Sequence, residues 1–270
     1  MRVGKITVGA LEEWSLRPGT VTSWHPTPAA QERASRAPVS DVPVSYMQGQ
    51  HLRNFCDREA AGLNFSRQII GSCEVAGTCD IGAMNEALNA YIRRHDTFRS
   101  WFREGENGHF IRHAIEDPAD IEFVPVEHGE MTVEQIREHV VNIPSPLEWG
   151  CFTFGVVQGD GYFSFFAAMD HVHGDATLIG TTMMEANGMY SALSTSGEAL
   201  ELPEAGSFDD FCIREREQAA TLTLDSPGVR AWLDFAENNN GGFPEFPLPL
   251  GDPNEATRSV MSSALLMDPG

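Results

Sequence analysis

Two apolar stretches, Phe152–Val157 and Tyr162–Met169, flank Gly159-Asp-Gly161 and predict a β-hairpin whose return strand is apolar along nearly its whole length. That strand ends abruptly in Asp170, His171, His173 and Asp175. A stretch rich in Met and Leu follows as far as Leu193, a helix opened by Asp175 or Thr177. Upstream, Asp80 is placed as the N-cap of a helix carrying Ile81, Met84, Leu88, Tyr91 and Ile92 at helical spacing. Thr97–Arg103 and His109–Ile115 predict a second hairpin around Glu106-Asn-Gly108. Ser45 to about Gly62 reads as a helix with Met47, His51, Leu52 and Phe55 on one face, and Arg67–Val75 as a strand. Thr132–Asn142 is a short helix before Pro144 and Pro146; Asp209–Leu222 and Ser226–Glu237 are two more. Residues 1–42 read as an irregular segment, with Pro18, Pro26, Pro28, Pro38 and Pro43 as breakers around a short strand near Lys5–Gly9. From 238 to 270 a Pro-rich crossover begins, leaving 43–237 as the main body. The pattern predicts a mixed α/β (α+β) domain of hairpins and packed helices, not regular βαβ units.

Composition narrows the function more than the fold. A 41% apolar fraction over 270 residues suits one large or two modest domains. Eighteen basic against thirty-nine acidic residues give a net charge of −21. No basic stripe exists to neutralise phosphates, so nucleic acid is excluded as a partner, and no polybasic patch exists for an anionic membrane. The same acidity would repel an acidic carrier protein unless a local basic patch compensates. No apolar run reaches membrane-span length and the N-terminus lacks a signal-type apolar region. Five scattered cysteines read as reduced, buried thiols, which fits a cytoplasmic protein, with peripheral contact at the inner membrane face as a further option.

The strand end carries the candidate chemistry, because ionisable groups at the exit of a core strand are costly to bury without partners. In one reading His171 is a general base and Asp175, four positions on, shapes the site. In another, His171-x-His173-x-Asp175 is half of a zinc site, yet position 176 is Ala, all nine histidines lie at or before 173, and no C-x-x-C clip exists among Cys56, Cys73, Cys79, Cys151 and Cys212. No metal is therefore expected. The third reading is an ordinary strand end with solvated polar groups, and the motif alone does not choose among them. Cys151 begins an apolar strand with no base beside it, which argues against a thiol nucleophile.

Four further segments bear on the choice. Arg93-Arg-His-Asp-Thr-Phe-Arg-Ser-Trp-Phe102 resembles the R-H-[ED]-x-[LF]-R-[TS]-x-F signature of peptide-synthetase condensation domains and their acyltransferase relatives. Met169-Asp-His-Val-His-Gly-Asp-Ala176 resembles the H-H-x-x-x-D-G core of that superfamily, its second His falling on His171. Pro43-Val-Ser-Tyr-Met-Gln-Gly-Gln50 is similar to its first motif and Ser207-Phe-Asp-Asp-Phe211 to a later one. With Phe243-Pro-Glu-Phe-Pro-Leu-Pro-Leu-Gly-Asp252 near the end, the set most resembles the polyketide-associated acyltransferases of mycobacteria that build acylated trehalose lipids. Asp170 in place of the first core His, Ala176 in place of the closing Gly, and the absence of the later D-F-G-W-G-like element are departures.

The resemblance implies one half of a chloramphenicol-acetyltransferase-like fold, a mixed sheet with packed helices. It implies transfer of a fatty or polyketide acyl group from a CoA or carrier-protein thioester to a trehalose-type hydroxyl. His171 would be the base. Asp175 would support the site through an ion pair with Arg99 or Arg94, and Asp170 and His173 are candidate lining residues. For His173 the simpler role is a backbone hydrogen bond inside the turn. His95, in the Arg-His-Asp motif, would brace a strand–helix junction, and Met84/Leu88/Tyr91 and Ile179/Met183/Met184 would be core. No cofactor is implied beyond the acyl-CoA or acyl carrier protein substrate. The alternative is an incomplete or non-catalytic half-domain that binds a lipid or protein partner. An open face where a second half would dock implies self-association.

Overall fold

The computed structural model describes residues 2–3, 6–7, 9–14, 16–63, 67–242, 248 and 251. They divide into two compact units, Arg17–Glu217 and the described residues of Met1–Leu16 and Gln218–Gly270. In the smaller unit β1 (Arg2–Val3) pairs antiparallel with β2 (Ile6–Thr7). Lys5 and Val8, which flank β2 in the expected strand, lie outside the described residues, as does most of the Pro-rich crossover.

The larger unit runs β3 (Gly19–Pro26), α1 (Pro28–Ser35), α2 (Tyr46–Ala60), β4 (Gln68–Ala76), α3 (Ile81–Arg94), β5 (Ser100–Glu104), β6 (Phe110–Ala114), β7 (Phe123–Met131), α4 (Val133–Val141), β8 (Phe152–Gln158), β9 (Tyr162–Asp170) and α5 (Ala176–Ser196). Helix α6 (Phe208–Ala220) follows, and α7 (Pro227–Asn238) belongs to the smaller unit. Five strands form one sheet in the order β4-β9-β8-β3-β7, and β5 with β6 forms a separate hairpin. Every described pairing is antiparallel, so the α+β class holds while the sheet is not mixed.

Strand β9 lies inside this sheet, paired to β4 on one side and β8 on the other. Alternate residues Phe163, Phe165, Ala167 and Met169 enter the main core with Phe152, Phe154 and Val156 of β8. Met84, Leu88 and Tyr91 of α3 and Ile179 and Ala186 of α5 complete that core. Phe166 and Ala168, pointing to the opposite face, are fully buried as well, which is why the strand reads as an unbroken apolar run. Side-chain caps start the helices where the sequence places them: Ser45 with Gln48 at α2, Asp80 at α3, Thr132 with Gln135 at α4 and Asp175 at α5.

Three elements depart from the sequence reading. Residues 19–35, read as irregular, form β3 and α1. Strand β3 has weak local patterning but pairs on both sides, with β7 and β8, so its stability is supplied by distant partners. Pro28, read as a breaker, is a first-turn residue of α1 behind the Thr27 cap. Strand β7 went unread because its residues are mostly exposed, as an edge strand allows. Met47 (71%) and Met184 (77%), both assigned to apolar faces, are exposed.

Gly155 of β8 permits a close approach to both neighbouring strands: a Cβ there would lie 2.3 Å from Phe166 Cζ of β9 and 2.9 Å from the Thr22 carbonyl oxygen of β3. Gly155→Ala is expected to cost about 1–3 kcal/mol by overpacking, read as a lower urea midpoint with unchanged slope. An unchanged midpoint would show that β8 and β9 are less tightly registered than described.

Candidate active site

The turn after β9 is held from inside by its first residue. Asp170 is fully buried. Its Oδ1 accepts hydrogen bonds from the Val172 amide at 2.9 Å and from His51 Nε2 at 2.7 Å, and Oδ2 accepts from Arg67 Nη1 at 2.6 Å. Burial by itself would raise the pKa of this carboxyl. The bonds from His51, Arg67 and Val172 outweigh that and hold it below the ordinary carboxylate value, so it stays ionised. Arg67 also donates through Nη2 to the carbonyls of Ile143 and Pro144, at 3.1 and 3.0 Å. The backbone closes the frame: the His171 amide donates to Arg67 O at 2.8 Å and the His173 amide to Asp170 O at 3.0 Å.

The following histidines face opposite environments. The His171 ring is exposed, with Nδ1 3.1 Å from the Gly174 carbonyl oxygen. A carbonyl only accepts, so Nδ1 carries a proton, and in the neutral ring Nε2 holds the lone pair. That is the protonation pattern of a general base. His51, across the turn, has its ring centroid 6.3 Å from that of His171. His173 is buried, and its Nδ1–H donates to Thr97 O at 2.9 Å while the Thr97 hydroxyl donates to His173 O at 2.8 Å. Burial, ahead of the other effects, pushes its pKa down to about 4, so the ring is neutral. It bonds backbone, as the simpler reading supposed, but that backbone belongs to Thr97 and not to its own turn.

Asp175 does not ion-pair with Arg99 or Arg94. Its Oδ1 accepts from the amides of Thr177 at 2.8 Å and Leu178 at 3.1 Å, capping α5. Among the described residues it forms no ion pair. A side chain satisfied by two helix amides already sits in the positive field of the helix N-terminus, which removes the need for an arginine. Arg99 donates to the Arg93 carbonyl at 3.1 Å. Arg94 and His95 both meet Glu185 Oε2 of α5, at 3.2 and 2.8 Å. Asp96 accepts from the Ser207 hydroxyl and the amides of Phe208 and Asp209 at 2.8, 3.0 and 3.2 Å, fixing the start of α6. The Arg-His-Asp motif thus ties α3 to α5 and α6, and the Asp170 carboxylate, a candidate lining residue, is buried beneath the turn.

Residues 41–225 match the condensation-domain family. The chain belongs to this family. It is 54% identical over 268 residues to acyltransferase PapA3 of Mycobacterium tuberculosis, covering 99% of this chain and 57% of that protein. It is 51% identical over 268 residues to the 2'-acyl-2-O-sulfo-trehalose (hydroxy)phthioceranyltransferase PapA1 of Mycobacterium bovis, covering 99% and 52%. The solved PapA2 acyl transferase superposes with a TM-score of 0.86 at 46% identity, covering 92% of this chain and 54% of that one. A condensation domain of the calcium-dependent antibiotic synthetase shares the fold, with a TM-score of 0.54 at 15% identity over 75% of this chain and 49% of that one. The chain therefore spans about half the length of the relatives it matches.

The residues the sequence reading missed are His51 and Arg67. A buried Asp implies a distant cation, but no local spacing points to 51 or 67, which are 119 and 103 positions away. Cys151 is fully buried and its thiol pKa is pushed well above the usual range, by burial first and by the Asp170 charge next, which removes it as a nucleophile. Among the described residues no three His, Cys, Asp or Glu are arranged to hold a metal ion, and no helix is long and apolar enough to cross a membrane. Two surface hollows of about 250 and 210 Å³ are lined by other residues, such as Arg33 and Asp120, and not by His171.

Asp170→Ala leaves Arg67 without its carboxylate and is expected to destabilise the protein by about 3–5 kcal/mol, whereas His171→Ala, at an exposed position, should stay within about 0.5 kcal/mol. The Asp170 contribution is present above the carboxylate's unfolded value of 3.8 and is lost as pH falls below it. Urea unfolding of both variants at pH 7 checks the ranking. Equal midpoints would refute the clamp.

Proposed function

We propose that this chain carries the base-bearing half of an acyltransferase that moves a fatty or polyketide acyl group from a CoA or carrier-protein thioester onto a hydroxyl of a trehalose-type glycolipid. One observation supports it above the rest: an exposed imidazole whose Nδ1 lies 3.1 Å from Gly174 O, so that its Nε2 holds the lone pair of the neutral ring, mounted on a turn whose backbone is pinned by a buried ion pair. An alcohol is a poor nucleophile at neutral pH. Nε2 of His171 takes its proton as the oxygen bonds to the thioester carbonyl carbon. The carbon–sulfur bond then breaks, and the departing thiolate recovers the proton from the imidazolium, leaving an ester and a free thiol. The names of the relatives support the acceptor class, since PapA1 is described as acting on a sulfo-trehalose.

A second reading draws on the exposure of His171 and the share of its relatives that the chain spans. Acyl transfer needs water excluded from the reacting carbonyl, and neither surface hollow encloses this ring. In that reading this half binds a lipid or protein partner and does not turn over alone.

Thiol release from a long-chain acyl-CoA with trehalose present separates the two. Trehalose-dependent release, lowered by roughly 10²–10⁴ in His171→Ala, is the outcome expected of the acyltransferase. No trehalose-dependent release, or release indifferent to His171, would overturn catalysis by this chain and leave the binding reading.

A further inference from the structure

Away from the β9 turn, three histidines from three elements converge on one hydroxyl. Ser23 of β3 is fully buried. Its Oγ lies 2.8 Å from His25 Nε2 on the same strand, 2.7 Å from His128 Nε2 on β7 and 3.1 Å from His139 Nε2 on α4. The approach of His128 is built into the backbone. Val21 pairs with Gly129 and Thr22 with Glu127, so His128 is the extra residue of a β-bulge, and Gly129 beside it has φ +81°. Bulges re-aim side chains, and here one brings the His128 ring to 5.7 Å from His25 and 4.5 Å from His139, centroid to centroid.

Hydrogen-bond capacity fixes the charge state of this group. A hydroxyl donates once and accepts twice, so three neutral imidazoles saturate Ser23: two donate Nε2–H and one accepts. A proton on the accepting ring turns its lone pair into a donor aimed at another donor. A proton on either other ring places a cation beside its neighbours in a half-buried site. Burial first, then neighbouring imidazoles, lowers the pKa of His25 and takes that of His139 to about 4. Among the described residues, the effects that set the two pKa values include no carboxylate. Glu127 and Glu130 of β7 and Glu138 of α4 are exposed, Arg137 of α4 would add positive charge, and the facing β8 residues Gly155 and Val156 carry no charge.

Helix α4 leads straight to the site's support. Gln68 Nε2 donates to Val141 O at 2.7 Å, and the Ile143 and Pro144 carbonyls that follow anchor Arg67, the partner of Asp170. We propose that Ser23, His25, His128 and His139 form an acid-released latch that docks α4 on the sheet and, through the Ile143–Pro144 carbonyls and Arg67, holds the turn bearing His171. The latch is closed while His25 and His139 are neutral. Because His139 has a folded value near 4 against 6.5 unfolded, its contribution is complete above pH 6.5 and is lost as pH falls toward 4. Acid would therefore loosen α4 first and the His171 turn with it.

The test compares the 270-residue chain with His139→Gln, which keeps a hydrogen-bonding side chain but takes no proton. Urea midpoints are read from pH 7.5 to 4.5, with hydrogen exchange followed in peptides covering 133–145 and 165–175. Wild type should lose midpoint more steeply below pH 6.5, so that any deficit of the variant at pH 7.5 shrinks or reverses at pH 5. Acid-enhanced exchange in both peptides should be weaker in the variant than in wild type at the same pH. Buried His173 titrates alike in both proteins, so the difference reports the cluster. Parallel pH curves would overturn the latch, and a pH-dependent midpoint difference with no change in the 165–175 peptide would overturn its coupling to the turn. Should His139→Gln fold poorly, His128→Gln serves in the same comparison. A rise in wild-type midpoint with micromolar Zn²⁺, absent in His128→Gln, would reassign the cluster to metal binding and overturn the proposal. These readouts do not use turnover, so they stand apart from any failure of the acyl-transfer reading.

Discussion

A carboxylate with no solvent exposure at the end of an interior strand of the sheet is the constraint around which the site is organised. Asp170 remains charged there only because Arg67, His51 and the Val172 amide occupy its lone pairs together. Removing water from an ion pair is costly, and such a pair persists where its geometry is complete. Completeness here requires α2 to present His51, the residue before β4 to present Arg67, and the segment after α4 to lend two carbonyls. Three otherwise separate parts of the chain are thereby registered against one turn. The turn's geometry is then a property of the whole domain and not of its own residues.

The roles within the Asp-His-Val-His-Gly-Asp segment follow from position on that clamp. Asp170 and His173 point inward, one ionised and one neutral, and hold the turn from beneath. His171 points out with its donor nitrogen already engaged, and Asp175 spends its carboxylate on the first amides of α5. Helix α5 is anchored again through Glu185 by Arg94 and His95, so the turn is bounded by a strand and a helix that are each independently fixed. A side chain mounted on such a turn loses little entropy on being held in one geometry.

Legibility in the sequence tracked how local each determinant was. The β8–β9 hairpin, the Asp80 cap, the starts of α2 and α4 and the apolar face of α3 agree with the sequence reading, because a cap or a repeat of apolar positions acts over a few residues. Strand β3 was not, although it sits between β8 and β7, because it is stabilised by residues more than a hundred positions away. Met47 and Met184 fit helical periods but point outward, since a period defines a face without saying whether anything covers it. The family was visible through ordered short motifs, a signal distinct from periodicity.

By itself the sequence determined the α+β class, most helix starts, the buried β9 strand and the presence of two His and two Asp residues at its exit. Only the tertiary structure decided that Asp170 is the clamp, held by Arg67 and His51, that Asp175 meets the first amides of α5 in place of Arg99 or Arg94, and that three distant histidines share Ser23. The physical reason is range. Capping and amphipathic burial act within a turn or two of the chain, whereas a buried charge or hydroxyl takes whichever polar partner the packing of layers brings within about 3 Å, and sequence separation places no limit on that choice.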